Sequence, residues 1–350
     1  MKKFYNSIGL TIAAGFLSIL SGCSSVYYFY QAGRGQLAIT NLAKPITDVV
    51  EDERTPQRIK MLLGEVKNVI DFTKRIGLKK TPNYRDYVQL NREYANYVVT
   101  ASEKLKFKAR QWSFPIVGTF NYIGYFSEVD ANEHGKRLSE EGLDVYVRGA
   151  RAYSTLGWFR DPIMSSMLLD GDGAFGYLVN VLIHESVHAT FYVNGQSYFN
   201  ESAASYIADR TTSVYLKDRF GESSKELEDY QSYMVRSEKN GQLFRDLYFR
   251  LKNLYDGTNS DQEKFELKDK WISELKIKLD RKDAQINNAS LTQFRTYGVG
   301  KAEFDQLFNH CHGDWVGFTK KLTTVEEVDF AETLQTDFGK IISKLTATAC

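Results

Sequence analysis

Proline is scarce in this chain, with 5 residues among 350, so nothing in it reads as a proline-rich linker between domains. A surplus of one charge is missing too. Lys and Arg total 45 and Asp and Glu total 44, a formal charge of +1, which gives no reason to expect nucleic acid as a partner. There is no internal repeat and no low-complexity tract. Beyond the first 22 residues no apolar run approaches the ~20 residues that a spanning helix needs. What is present is globular: 43% hydrophobic and 25% charged residues, close to the averages that build a buried core. Tyr and Phe are abundant, 22 of each, which suits a packed core and an apolar groove alike.

Cysteine is also rare, with 3 residues, and the first stands in a telling place. Lys2 and Lys3 precede an apolar stretch from Ile8 to Leu20, which closes on Leu20-Ser21-Gly22-Cys23. A basic start, a short apolar run and small residues before a cysteine resemble the lipobox of bacterial lipoproteins. In that class the thiol is lipidated and Cys23 becomes the mature N-terminus. The expectation is a leader over 1–22 and a single exported domain over 23–350, with helical parts at both ends. Acyl chains contribute roughly 0.8 kcal/mol per buried CH₂, so several of them hold a protein on a membrane without a spanning helix. Such a protein faces the periplasm. Ser24, standing where an Asp signals inner-membrane retention, favours the outer membrane. The alternative is an ordinary signal peptide with an incidental cysteine. Cys311 and Cys350 form either a disulfide of an oxidising compartment or two separate thiols.

From Gly35 to Ala109 apolar residues recur at three and four, as in Ile59, Leu62, Val66, Ile70 and Phe72, which predicts helices. A stop falls near Gly77, turn chemistry at Thr81-Pro82-Asn83, and a second helix over Tyr84 to Leu105. Trp112 to Phe126, aromatic and β-branched with interspersed Pro and Gly, predicts short strands or an irregular loop. A helix follows over Ala131–Glu141 and a strand over Asp144–Tyr153. Asp170-Gly171-Asp172-Gly173 is a turn before a helix from Phe175 to Tyr192, which stops before Asn194-Gly195. Another helix begins near Tyr198 or Asn200, and long charged helices fill the last third.

The chemistry is carried by His184-Glu185-Ser186-Val187-His188. Residues four apart share a helix face, so both imidazoles can meet one ion, and neutral imidazole is a good zinc ligand. Glu185 lies about 100° around the helix from His184, beside the ion, where it can take a proton from activated water and return it to the leaving amine. The apolar flank Phe175, Leu178, Val179, Val181, Leu182 and Ile183 supplies the helix and a dry setting. A HExxH string arises by chance in roughly one chain of this length in a hundred. A single zinc ion needs a third protein ligand, with a fourth position left open. Glu201, 13 residues after His188, is the candidate: it opens the next helix after the turn, where its charge gains from the helix dipole, and Asn200 could cap that helix. Ser205 and Asp209, one and two turns further, and Asn200 are candidates to support the ligands by hydrogen bonds.

Two His and one Glu is the gluzincin pattern of thermolysin-like enzymes. The chain resembles most closely the bacterial "putative aminopeptidase" family, lipoproteins with a HExxH site. The resemblance is carried by Phe114-Pro115-Ile116-Val117-Gly118, Gly124-Tyr125-Phe126, Ala152-Tyr153-Ser154-Thr155-Leu156-Gly157-Trp158-Phe159, Asp161-Pro162, the HExxH itself and Phe199-Asn200-Glu201-Ser202. It implies an α+β, mainly helical fold: a zincin-like catalytic region with the HExxH helix, a small edge sheet and added helices. It implies a zinc-dependent aminopeptidase acting on a peptide or protein substrate. In such enzymes an edge strand before the zinc helix holds substrate through its backbone, and Ala152, Tyr153, Ser154, Thr155, Leu156 and Gly157 sit at that place; a core strand and turn is the other reading of that block. Thr190 departs from the family's zinc helix, where an apolar residue is commoner.

Charge develops on the carbonyl oxygen during hydrolysis, and gluzincins meet it with a Tyr or His from a later helix; Tyr297 is the candidate here. An aminopeptidase must also recognise a free amine, for which Glu128, Asp161 and Asp170 are open choices. His134, His310 and His312 have no partners in sequence that suit a metal and are expected at the surface. Within the class a zinc endopeptidase is the alternative; outside it, a non-catalytic zinc-containing scaffold of the envelope, which would have no need of Glu185.

Overall fold

A computed structural model describes residues 27–114, 118–155 and 159–350. The leader with Cys23, and Leu156 and Gly157, lie outside the described residues. The chain divides into two compact units, Met1–Ala43 and Lys44–Cys350. In the first unit residues 27–42 form a helix, α1.

The second unit opens with β1 (Lys44–Pro45), α2 (Ile46–Glu51), α3 (Gln57–Arg75) and β2 (Asp86–Val88). Then come β3 (Asn96–Ser102), β4 (Trp112–Phe114), β5 (Gly118–Phe120), β6 (Ile123–Tyr125), α4 (Glu128–Glu140), β7 (Asp144–Ala150) and β8 (Ile163–Met164). The remainder is helical: α5 (Ala174–Thr190), α6 (Ser197–Phe220), α7 (Lys225–Asp256), α8 (Asp261–Lys278), α9 (Asn288–Thr296), α10 (Lys301–His310), α11 (Trp315–Leu322) and α12 (Gly339–Thr346). At 58% helix among the described residues, with small sheets, the chain is α+β and mainly helical, as the sequence implied. Among the described residues no helix is long and apolar enough to cross a membrane.

The sheet that matters for the site has the order β6–β3–β7, antiparallel throughout, with Val98 opposite both Gly124 and Arg148. One face is covered by α4, where Gly135 approaches so closely that a Cβ would stand 2.9 Å from Val147 Cγ2. On the other lies α9, whose Gln293 Oε1 accepts from the Thr100 hydroxyl at 2.7 Å. Covered on both sides, β3 has Val99 and Ala101 at 0% exposure. This overturns the expected second helix over Tyr84–Leu105: the run Val98-Val99-Thr100 is β-branched and pairs with two neighbours, and burial on both faces removes the alternation that marks a strand. The helices expected over Ala131–Glu141 and Phe175–Tyr192, and the strand from Asp144, are present within a few residues. A second small sheet runs β1–β2–β8, and β4–β5 form a hairpin.

At the C-terminal end Phe199, Phe304 and Phe338, each at 0% exposure, pack ring against ring at 5.3–5.9 Å. Cys311 and Cys350 form a disulfide with Cα atoms 5.1 Å apart across a separation of 39 residues, which resolves the alternative left open by the sequence. In the chain-entropy account, a loop of that length contributes about 4 kcal/mol through the unfolded state. The Cys311→Ala, Cys350→Ala double variant is therefore expected to lower the melting temperature in oxidising buffer by several degrees. Reductant should bring wild type to the variant's value, as read by circular dichroism.

Candidate metal centre

α5 starts where Gly171 and Gly173 adopt φ of +81° and +83°, a turn that favours glycine, and it runs without proline to Thr190. It is apolar nearly all round, with Leu178, Val179, Leu182, Ile183 and Val187 at 0% exposure. Thr190, the odd residue of its last turn, accepts the Lys79 N–H on its hydroxyl at 3.0 Å and donates to Ser186 O at 2.7 Å. Its polarity thus closes a backbone group of a neighbouring segment.

Four residues apart, His184 and His188 bring their Nε2 atoms within 3.2 Å. α6 begins at Ser197, earlier than expected, so Glu201 stands in its second turn and gains little from the helix dipole. Nor does Asn200 cap the helix. It is 1% exposed, accepts the Val193 N–H at 2.9 Å and donates to Val193 O at 2.8 Å. That clamp closes the turn between α5 and α6. Glu201 then faces the histidines, with Oε2 at 3.2 Å from His184 Nε2 and 3.6 Å from His188 Nε2; Oε1 accepts from the Tyr122 hydroxyl at 3.3 Å.

These three ligand atoms fit a metal ion. They lie within 4.8 Å of one another, and bonds of about 2.0–2.1 Å in tetrahedral geometry place neighbouring ligand atoms about 3.3 Å apart. The donor set of two imidazoles and a carboxylate is the set that zinc takes. Burial alone would raise the Glu201 carboxyl, but His188 and His184 more than offset it and hold it well below the usual carboxylate range.

Glu185 differs. Its Oε2 is buried with no hydrogen-bond partner among the described residues. Burial, aided by Glu201 and Asp161 and opposed by His184, pushes its carboxyl up to about 7. Tyr84, whose charged form Glu185 and Asp161 disfavour, has a buried and unpartnered hydroxyl on a backbone at φ +62°, strain of the kind that collects at functional sites.

Tyr297 follows α9 directly. Ser202, beside Glu201, donates to Thr296 O and accepts from Val299 N–H, both at 3.1 Å, and Asn121 Nδ2 donates to Thr296 Oγ1 at 3.0 Å. Its ring thus lies 6.3 Å from that of His184. Burial, reinforced by Glu201, pushes the phenol far up despite Arg148, so Tyr297 stays a donor.

The other expected residues divide. Asp209 is buried enough to raise its carboxyl and accepts from Asn180 Nδ2 at 3.0 Å, one turn before His184; Ser205 lies within α6, one turn beyond Glu201. The block from Ala152 is irregular where described. Thr155 donates to Asp161 through its hydroxyl at 2.7 Å and its N–H at 3.1 Å, with Ser154 at 3.5 Å and Asn83 at 3.3 Å. Residues 152–155 form no strand, and the polar side chains of Ser154 and Thr155 close on a buried carboxylate. Asp161 is thus engaged, while Asp170 pairs at the surface with Arg58 and Glu128 is exposed. His134 is not a surface residue: it packs on Trp112 and shares a hydrogen bond with Tyr125 at 2.7 Å. His310 bonds Thr348 O at 2.9 Å, and His312 is exposed.

Tyr122 and Arg148 were not foreseen. Tyr122 is one of many aromatics in an irregular stretch, and Arg148, on the polar face of an alternating strand, reads as solvated. The one available signal was that Asp144, Tyr146 and Arg148 fall on a single face of β7.

The chain belongs to the family described as "Putative aminopeptidase", whose profile matches residues 27–336. No curated protein and no solved structure matches it significantly. A bound zinc ion stabilises the native state by mass action, about 4 kcal/mol at a thousand times its dissociation constant. Zinc should therefore raise the melting temperature of wild type and leave His188→Ala unmoved, and elemental analysis should find one ion per chain in wild type and none in the variant.

Proposed function

We propose that this protein is a zinc-dependent aminopeptidase of the bacterial envelope. The observation that carries the reading is the convergence of His184, His188 and Glu201, with the buried Glu185 beside them. A zinc ion held by those three residues would supply Lewis acidity toward a peptide carbonyl and toward water. Glu185 takes the proton of the attacking water on its carboxylate and delivers it to the amine that leaves. A raised carboxyl suits both halves of that exchange, because transfer is most effective when the group titrates near the working pH. Tyr297 donates its hydrogen bond to the developing oxyanion, a contribution of about 2.7–4 kcal/mol at such positions. The edge of β7 away from β3 has no strand partner among the described residues. A substrate backbone aligns there by strand addition.

The envelope setting rests on the lipobox-like Leu20-Ser21-Gly22-Cys23, with acyl chains on Cys23 and the domain facing the periplasm from the outer membrane. The disulfide between Cys311 and Cys350 accords with an oxidising compartment.

The test uses zinc-loaded protein starting after Cys23, with a peptide pool of which half is N-terminally blocked. Wild type should release single N-terminal residues from the unblocked half, by mass spectrometry. Glu185→Gln should retain its zinc and lose turnover by at least a hundredfold. Internal cuts in both halves would make it an endopeptidase, and equal products from both proteins would remove Glu185 as the base. Separately, Tyr297→Phe should lower kcat by about a hundredfold to a thousandfold with little change in bound zinc.

A further inference from the structure

Arg148 is a cation placed beside the centre without a counter-ion. It projects from β7 on the face shared with Asp144 and Tyr146, and it is only partly exposed. Its hydrogen bond among the described residues runs from Nη2 to the Tyr297 hydroxyl at 3.1 Å. Elsewhere in the fold Arg58 ends on Asp170 at 2.9 Å and Lys268 on Asp144, whereas Arg295, also partly buried, ends like Arg148 on a phenol, that of Tyr248. Every Asp and Glu of the chain lies among the described residues, and none reaches Arg148. Its charged neighbour is Glu201, already engaged by His184 and His188; the rest are the phenols Tyr122, Tyr146 and Tyr297.

A guanidinium has five N–H donors in a planar fork, and Arg148 commits one of them to Tyr297. Two of the four that remain match a carboxylate in bidentate fashion. A half-buried cation without an ion pair of its own costs free energy that a docking anion recovers. The ring of Tyr297 lies 6.3 Å from that of His184 and 6.0 Å from the guanidinium carbon. The fork is therefore within about 12 Å of the His184 ring, a span of about three extended residues at ~3.3–3.6 Å each.

Building on the peptidase reading, we infer that Arg148 anchors the substrate's C-terminal carboxylate, so that the site takes short peptides of two to four residues with a free C-terminus. The anchor acts by binding: it fixes how far the scissile bond sits from the end of the peptide.

The experiment measures binding by calorimetry to zinc-loaded Glu185→Gln protein. The probes are di-, tri- and tetra-alanine, each as the free acid and as the C-terminal amide. The free acids should bind roughly tenfold to a hundredfold more tightly than the amides, the range of a charge-assisted pair. Arg148→Met should erase the difference and Arg148→Lys should restore part of it. Equal affinities for acid and amide in the Arg148-containing protein would overturn the inference, and that comparison stands even if Arg148→Met fails to fold. Hydrolysis by wild type separates this inference from the one beneath it. Acid and amide cleaved with equal KM leaves a peptidase without the anchor, whereas acid-selective binding with no hydrolysis leaves the anchor and removes the peptidase.

Discussion

The two hydrogen bonds between the Asn200 amide and the backbone of Val193 set the geometry on which the centre depends. Two antiparallel helices can slide along each other by a residue at small cost in apolar contact, because ridges and grooves repeat. A slide of one residue moves a side chain by 1.5 Å along the axis and about 100° around it, which would carry Glu201 away from the histidines. Asn200 satisfies both polar groups of a buried turn residue and so holds one register. Each residue of Phe199-Asn200-Glu201-Ser202 then has its own task. Phe199 roots the helix in the aromatic cluster, Asn200 fixes its height, Glu201 meets the imidazoles, and Ser202 holds the segment that carries Tyr297.

Two carboxylates share this interior and are driven in opposite directions. Both are buried, which by itself raises them. Glu201 lies within 4 Å of two imidazoles and is held ionised; Glu185 has an unanswered oxygen and is pushed up to about 7. Divergence of two acids in one site is how a single pocket separates a permanent charge from a group that exchanges protons. The phenols around them, Tyr84, Tyr122 and Tyr297, all have their ionised form disfavoured by burial, so these three side chains stay neutral.

What was legible in the sequence follows from range. His184, Glu185 and His188 are placed by one helix, and helical spacing is a local property. Glu201 was reachable because a strong turn dipeptide lies between it and the first helix. Its supports were not, since the contacts of Asn200 and Ser202 depend on register and on a segment some 94 residues away. β3 was misread because a strand covered on both faces loses its period of two. The 152–162 block was legible as distinctive but not as to role: its Thr155 and Ser154 serve Asp161 within the same block, and Asn83, which also reaches that carboxylate, is a partner that only the folded chain brings near. Arg148 was invisible for a related reason. An arginine on the polar face of a strand looks solvated until α9 and Tyr297 are seen to close over it.

The turn between the two ligand-bearing helices is also held from far downstream. Gln196 donates to Glu332 O at 2.8 Å across 136 residues, and its Oε1 accepts from Gln335 N–H at 3.1 Å; Leu334 N–H reaches Gly195 O at 2.9 Å. This gives the molecule an order in time. A chain emerging from its N-terminal end displays the HExxH helix while the strap that secures the neighbouring turn has yet to appear. The centre's frame therefore closes late, only after the segment around Glu332 and Gln335 has been delivered, and a chain ended before it would carry the motif without the frame that holds it.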